Sequence, residues 1–331
     1  MGRRISSAKL KLINRKSSPF NPPEFGCLRG IASINITKGC AHGCVYCYAR
    51  GFPEAPPDGE VYLYKNLPEL VEAELWKKKT LPNWVSFSTA SDLFQPYDEI
   101  LDVSYRVLKI LLEAGIGVVF LTKGIAPQDF IDLFKKYPGK VKARIGLVSL
   151  NEQYRRVFEP YTASGSDRLE FIKALVDASV EVSVRVDPVV PYLVDSSDEL
   201  ERLFRAVVNI GVKNIALSCL IMRPTIMQYM REAIPEGVFK RIIGYYKRQP
   251  YQRVITSAKT KLLPISYRIS LYKRARSIAK KQTISMKICG CKNPDLPWQN
   301  CQPWIEPDNV CSLQRQQSLF NLELPVVFPR G

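Results

Sequence analysis

Short apolar runs rich in Val and Ile punctuate the middle of the chain. Strands are expected at Ser-Ile-Asn-Ile-Thr (33–37), Val-Ser-Phe-Ser-Thr (85–89), 117–123, 143–150, 180–187 and 214–220. Each run is short and β-rich, the form of a strand buried on both faces of a parallel sheet. Between them the apolar spacing turns helical. Helices are expected at 66–78, at 98–114 (Ile100, Leu101, Val107, Leu108, Leu111, Leu112), at 167–178 and at 196–210, the last opening on Ser196-Ser197-Asp198-Glu199. After a first gap of about fifty residues, strands recur about every thirty residues, as βα units do.

Six such units imply a parallel α/β barrel, complete or partial. An open doubly wound sheet is the alternative, but no G-x-G-x-x-G or P-loop follows any strand. In βα barrels the chemistry gathers at the C-terminal strand ends. Those ends carry a cysteine loop after the first strand, then Ser88 and Thr89, Lys123, Ser149 with Asn151, and Asp187. Asp92, Gln95 and Arg185 are further candidates to face the mouth and orient substrate or cofactor, or equally to pair within the barrel, as Arg185 could with Asp187. After residue 235 the pattern changes to basic helices at about 236–247 and 265–281, with no further strand expected. An irregular tail rich in Cys, Pro, Trp and Asn closes the chain. The expected organisation is a basic extension (1–29), a barrel (30–235) and a basic helical segment with a cysteine-rich tail (236–331).

Charge sharpens this picture. The chain of 331 residues has a net charge of +17. Residues 1–16 carry six basic side chains and no acid; residues 237–294 carry fifteen and no acid, leaving 27 basic against 31 acidic residues elsewhere. Tyr245, Tyr246, Tyr251, Tyr267 and Tyr272 interleave with the second group. Basic residues mixed with aromatics suit a nucleic acid, whose phosphates pair and whose bases stack; the alternative is a solvated surface. No run of 18 apolar residues occurs, so no membrane span is expected. The N-terminus is basic and lacks the apolar centre of a signal peptide, so a cytoplasmic protein is expected. His42 is the single histidine. That excludes a His-pair metal site, and a Ser-His-Asp triad would have to use it.

The nine cysteines cluster. Cys40, Cys44 and Cys47 form a C-x3-C-x2-C loop; Cys289, Cys291, Cys301 and Cys311 form C-x-C-x9-C-x9-C; Cys27 and Cys219 stand apart. In a cytoplasmic chain such clusters favour metal over disulfides. Three thiolates on one short loop suit three corners of a cubane cluster and leave the fourth iron open. A zinc site would need His42 as fourth ligand within a strained eight-residue knot. The four tail cysteines suit a second site, zinc or iron–sulfur, which the spacing does not decide; buried free thiols are the alternative.

The loop I-N-I-T-K-G-C-A-H-G-C-V-Y-C-Y-A-R, placed before five further βα units, resembles the signature of the radical S-adenosylmethionine superfamily. Within it the chain looks like the spore photoproduct lyase-like (SplB, DNA repair photolyase) group over roughly residues 30–300. F-S-T-A-S-D-L-F-Q-P-Y-D-E, F-L-T-K-G, G-L-V-S-L-N, F-E-P-Y with Arg168, V-R-V-D-P-V-V-P and C-G-C-K-N-P-D-L carry the likeness. The resemblance implies a partial (β/α)6 barrel, a 4Fe-4S cluster on Cys40, Cys44 and Cys47, and S-adenosylmethionine on the open iron. It also implies an electron donor such as a ferredoxin or flavodoxin, and a 5′-deoxyadenosyl radical that abstracts hydrogen. Lys123 then holds the cofactor carboxylate, Tyr46 packs by the adenine, and Ser149 touches the cofactor, with Ser88, Thr89 and Asp187 as further cofactor contacts. Tyr46 and Tyr48 match a tyrosine pair proposed to relay a hydrogen atom.

One departure stands out. The lyase proper has a cysteine near the end of strand two that returns hydrogen to the substrate radical, and residues 87–92 here contain none. An O–H bond is too strong to replace that thiol, so a different substrate or a different closing step is expected. The leading expectation is a radical enzyme acting on a nucleic acid, by lesion repair or RNA modification. The alternatives are a radical enzyme acting on a protein and a metal-stapled nucleic-acid-binding protein without catalysis.

Overall fold

A computed structural model describes residues 8–23, 26–254 and 258–296. The chain enters through β1 (Lys9–Ile13), followed by β2 (Ser33–Ile34) and β3 (Thr37–Lys38). The run 33–37, expected as one strand, breaks at Asn35. The Asn35 side chain bonds across to the end of the next barrel strand, donating to Thr89 Oγ1 at 2.8 Å and accepting from the Ala90 N–H at 2.9 Å. β4 (Glu60–Tyr64) then pairs in parallel with β1 and antiparallel with β3, a small sheet outside the barrel.

Helices and strands alternate from there: α1 (Leu67–Lys77), β5 (Trp84–Phe87), α2 (Asp98–Glu113), β6 (Gly117–Thr122), α3 (Gln128–Lys135) and β7 (Val141–Gly146). Next come α4 (Glu152–Phe158), α5 (Gly165–Asp177), β8 (Glu181–Val189), α6 (Ser197–Asn209) and β9 (Asn214–Cys219). α7 (Pro224–Ala233), α8 (Glu236–Gly244), the ribbon β10 (Gln252–Arg253) and β11 (Lys259–Thr260), α9 (Ile265–Lys281) and β12 (Ser285–Ile288) follow. The hydroxyls of Ser164 and Ser196 cap α5 and α6, accepting from the N–H of Asp167 and Glu199; each cap is worth about 1 kcal/mol.

Seven strands form one parallel sheet in the order β2-β5-β6-β7-β8-β9-β12. The order follows the chain without reversal, whereas a doubly wound sheet reverses at a switch point. β2 and β12 end the sheet without pairing to each other, so the barrel is partial. The helices pack their apolar stripes on the outside; α2 buries Ile100, Val107, Leu108 and Leu111 completely. Burying such a side chain contributes roughly 1.5–3 kcal/mol.

The ribbon β10–β11 and the barrel strand β12 are corrections, since no strand was expected after residue 235; β12 is the one that extends the barrel. Its sequence, Ser-Met-Lys-Ile, lacks a β-branched run because Ser285 and Lys287 line the barrel interior. The basic segment is also less uniform than its composition. Tyr246 and Tyr272 are fully buried, and the Tyr267 hydroxyl donates to Asp195, so of the five tyrosines only Tyr245 and Tyr251 are exposed. Arg268 is buried against Asp295, Lys292 pairs with Asp187, and Arg274 donates to the Asp195 carbonyl. Among the described residues, no helix is long and apolar enough to cross a membrane.

Candidate active site

The cysteine loop begins where β3 hands the chain to Gly39, at φ +77°. A side chain there would meet the Pro56 ring at 2.7 Å. Gln95, fully buried, clamps the start of the loop: Oε1 accepts from the Ala41 N–H at 2.7 Å, and Nε2 donates to Thr37 Oγ1 and the Asp92 carbonyl at 2.9 Å. The Asp92 carboxylate accepts from Thr122 Oγ1 at 2.7 Å and from the N–H groups of Lys123 and Phe94 at 2.9 Å; His42 Nδ1 lies 3.3 Å away. Burial alone would raise the Asp92 pKa, but His42 and these donors outweigh it and hold the carboxyl below its usual value. Asp92 and Gln95, candidates either to orient substrate or to pair within the barrel, brace the loop from behind, and His42 is a buried part of the same brace.

The F-E-P-Y segment is the other half of the mount. The Val45 N–H donates to the Phe158 carbonyl at 3.0 Å, and the Tyr161 N–H to the His42 carbonyl at 3.2 Å. Gly43, at φ +65°, lets the loop lie against Tyr161, whose ring would stand 3.0 Å from a Cβ. The Tyr46 hydroxyl donates to Glu159 Oε1, while Glu159 Oε2 pairs with Arg168 Nη2 at 2.5 Å. Both partners of that pair are buried. Arg168 is held further by the carbonyls of Ala163 (2.9 Å) and Gly146 (2.5 Å) and by Thr162 Oγ1 (2.8 Å). Burial would raise the Glu159 carboxyl; Arg168, Lys123 and Tyr46 reverse this and lower it.

Cys40, Cys44 and Cys47 are half-buried and border a cavity of about 240 Å³. Burial pushes the Cys40 thiol up strongly and the Cys44 thiol up to about 12, the latter against the opposing charge of Lys123. Lys123 Nζ lies 5.5 Å from the centre of the Tyr46 ring. A Cβ at Gly146 would stand 2.8 Å from Lys123 Cγ, so the missing side chain is what makes room for the lysine.

A second cavity of about 350 Å³ occupies the barrel lumen. Tyr48, Ser88, Thr89 and Asp187 line it; Tyr46, Lys123 and Ser149 do not. The tyrosine pair is thus divided. Tyr46 is anchored on Glu159, whereas Tyr48 reaches the lumen wall and donates to the Thr89 carbonyl. Burial raises the Tyr48 hydroxyl to about 12, keeping it protonated. The Ser149 hydroxyl is engaged with Glu199 Oε2 at 3.2 Å and with the Asn151 N–H at 3.0 Å, at the start of α4. Asp187 pairs with Arg185 at 2.7 Å and Lys292 at 2.6 Å. Burial would raise its pKa, and these cations drive it far down.

Cys289 and Cys291 also line the lumen; Cys301, Cys311 and the side chain of Cys27 lie outside the described residues. Cys219 is buried. Arg223 and Lys292 are among the lumen residues that escaped the sequence reading. Arg223 lies over the Tyr48 ring at 5.5 Å, and Lys292 reaches Asp187. Lys292 is marked only by its place in C-G-C-K; Arg223 has no signal beyond preceding the proline that opens α7.

The family model described as the radical SAM superfamily matches residues 34–207. The chain belongs to the radical SAM superfamily. Among its relatives, the uncharacterized protein Rv2578c of Mycobacterium tuberculosis is 26% identical over 297 residues, covering 84% of this chain and 79% of its own. The uncharacterized protein ORF301 of Acidianus two-tailed virus is 24% identical over 225 residues, covering 62% and 72%. The radical SAM Nalpha-GlyT isomerase of Pseudomonas phage M6 is 27% identical over 177 residues, covering 53% of this chain and 36% of the isomerase. A spore photoproduct lyase complexed with dinucleoside spore photoproduct superposes with a TM-score of 0.64 at 15% identity, covering 84% of this chain and 81% of that one. That likeness supports the partial barrel.

The radical SAM superfamily implies a 4Fe-4S cluster and S-adenosylmethionine, and the residues present fit both. Cys40, Cys44 and Cys47 border one cavity, and three thiols on one short loop suit three irons of a cluster. Burial holds the Cys40 and Cys44 thiols protonated, a state that bound iron would reverse. Lys123 supplies an ammonium beside Cys44 for an anionic group.

Proposed function

We propose that this chain is a cytoplasmic radical S-adenosylmethionine enzyme whose substrate is a nucleic acid. The observation that carries the substrate class is the position of the basic ribbon. Val254 and Leu262 pack on Ile221, a lumen-lining residue, and Lys261 bridges to Met222 next to it. The exposed side chains of Lys247, Arg248, Tyr251, Arg253 and Lys259 thus belong to the segment that packs against a residue of the lumen wall. Cations with an exposed tyrosine suit phosphates and a stacked base. The solved spore photoproduct lyase complex holds a dinucleoside, which supports the same substrate class.

When bound, the cluster supplies an electron that cleaves S-adenosylmethionine to a 5′-deoxyadenosyl radical competent to abstract hydrogen. In our reading Cys40, Cys44 and Cys47 hold three irons, and Lys123 holds the cofactor carboxylate. Tyr46 fixes the loop on Glu159 beneath the cofactor. Tyr48 is the member of the tyrosine pair placed to exchange a hydrogen atom with a group in the lumen. Asp187 acts through Arg185 and Lys292, which it aligns, rather than by touching the cofactor. The volume of the lumen is at the lower end of ligand pockets, roughly 300–1,000 Å³. It takes one nucleotide, so the target base has to leave its stack.

The test is anaerobic reconstitution with iron and sulfide, reduction by dithionite, and chromatography for 5′-deoxyadenosine. Host DNA and RNA are then incubated with the enzyme, and their nucleosides compared by mass spectrometry. Cofactor cleavage with a changed nucleoside is the expected result. Cleavage with unchanged nucleosides, together with a modified peptide in the same extract, would overturn the nucleic-acid assignment.

A further inference from the structure

Strand register places the inward side chains of the barrel in layers. Arg144 pairs with Ser183 across β7 and β8, and Ser285 with Asn214 across β9 and β12. Val184 pairs with Ile215, which sets Ser183 beside Asn214. These four residues line the lumen. In the next layer Arg185 pairs with Ala216, and Ala216 with Lys287. A closed βα barrel fills such layers with branched aliphatic side chains; here they hold hydroxyl, amide, guanidinium and ammonium groups.

The lining has an excess of positive charge. Arg144, Arg185, Arg223, Lys287 and Lys292 face Asp187 and Glu181. Asp187 is paired with Arg185 and Lys292, Glu181 lies 3.1 Å from Lys142, and Arg144 and Arg223 have partners of their own. Lys287 has no ion pair among the described residues. Concentrating cations between apolar walls such as Phe87, Phe120 and Leu121 is unfavourable unless an anion joins them.

Ser88 points the same way independently. It lines the lumen, is 8% exposed, has φ +65°, and its buried hydroxyl has no hydrogen bond among the described residues. A non-glycine residue held at positive φ, with an unpartnered buried hydroxyl, is a cost that a ligand would offset. Ser88 stands two residues beyond Ser86, the partner of Val119, and so is level with Leu121, which pairs with Arg144.

We propose that the barrel lumen is an anion subsite that receives one phosphate group of the substrate, on Lys287, Arg144 and the Ser88 hydroxyl. The subsite lies away from Lys123, which does not line the lumen, so it serves the substrate rather than the cofactor. It rests on the nucleic-acid reading above for the origin of the phosphate.

The test measures dissociation constants of the reconstituted protein for the four 2′-deoxynucleoside 5′-monophosphates, their nucleosides and inorganic phosphate. At least one monophosphate is expected to bind roughly tenfold tighter than its nucleoside, the size of one charge-assisted hydrogen bond. Lys287→Gln is expected to abolish that preference, Lys287→Arg to retain it, and Lys273→Gln, on the exposed face of α9, to leave it intact. Ser88→Ala is expected to weaken it severalfold. Monophosphate binding far above inorganic phosphate identifies a nucleotide as the source; equal binding identifies a free phosphate and leaves the subsite standing. Equal affinity for nucleosides and monophosphates, or a preference that survives Lys287→Gln, would overturn the subsite. Filter binding of long DNA and RNA tests the nucleic-acid reading separately. Loss of that binding with the monophosphate preference kept would refute that reading alone.

Discussion

Replacing Arg168 by Met removes the guanidinium behind the cysteine loop and leaves a side chain of similar reach. Glu159 then keeps its bond from Tyr46 but loses the one cation in direct contact, at a site 2% exposed. Removing one partner of a buried ion pair costs about 3–5 kcal/mol. The carbonyls of Ala163 and Gly146 and the hydroxyl of Thr162 lose their donor as well, so the upper part of that range is expected. The double variant Glu159→Gln with Arg168→Met is expected to lose less than the two single changes together, because no stranded carboxylate remains. Urea unfolding at pH 7 gives these values. The pH dependence supplies a second check. In the native protein the Glu159 pKa is depressed, so its contribution is present above the unfolded carboxyl value, about 4.3, and is lost as pH falls through the lower folded value. In Arg168→Met burial dominates and the folded pKa rises above the unfolded one. The variant therefore gains relative stability as pH falls, and the gap between the two proteins narrows from pH 7 to pH 4. A gap under 1 kcal/mol at pH 7, or one that does not change with pH, would refute the role given to this pair.

Three further outcomes are expected. Replacing Cys40, Cys44 and Cys47 together by Ala removes the open cluster and all 5′-deoxyadenosine formation; iron retained with activity would show the assignment wrong. Replacing Cys289 and Cys291 lowers the metal content by a second site while the first cluster still forms, and elemental analysis finding no metal beyond four irons in the native protein would exclude that site. Nucleic-acid affinity falls with salt at a log–log slope of about −0.7 to −0.9 per phosphate contact. Charge reversal at Lys247, Arg253 and Lys259 on the ribbon flattens that slope more than reversal at Lys273, Lys280 and Lys281 on α9, and equal effects would move the contact away from the lumen.

Much of the barrel was legible because its strands obey a local rule. Strand 117–122 is buried on both faces and apolar, and 181–189 alternates Val182, Val184 and Val186 with the lumen residues Glu181, Ser183, Arg185 and Asp187; both stand out against helices with one apolar stripe. Among the strands not expected, β1 and β12 were hidden by the same logic. β1 alternates Lys with Leu at a sheet edge, and β12 turns Ser285 and Lys287 into a polar lumen, so neither has the composition of a buried strand. The cysteine loop was legible from spacing alone. Its supports were visible only as polar residues at strand ends, where a brace and a ligand contact look the same. Gln95 and Asp92 became braces because the loop offers backbone N–H and hydroxyl groups at hydrogen-bond distance, a pairing across more than fifty residues of sequence.

The basic segment shows how composition overstates a surface. Fifteen cations without an acid looked like one electrostatic face, yet the acids that partner several of them lie elsewhere in the chain. Asp187 takes Lys292 across 105 residues, and Asp295 takes Arg268 across 27. What remains exposed divides between the outer wall, on α9, and the ribbon beside the lumen. These two groups do different work if a polyanion binds. Charge on the outer wall raises the local concentration of nucleic acid within a Debye length, about 10 Å at 0.1 M salt. Only charge on the ribbon fixes where a strand lies relative to Tyr48. Neutralising the α9 lysines should therefore slow association and leave the modified position unchanged, whereas neutralising the ribbon should scatter or abolish the position at which hydrogen is abstracted. Mapping deuterium transfer into 5′-deoxyadenosine from site-labelled oligonucleotides separates these outcomes. The same loss of site selectivity in both sets of variants would mean that the ribbon has no privileged place at the mouth.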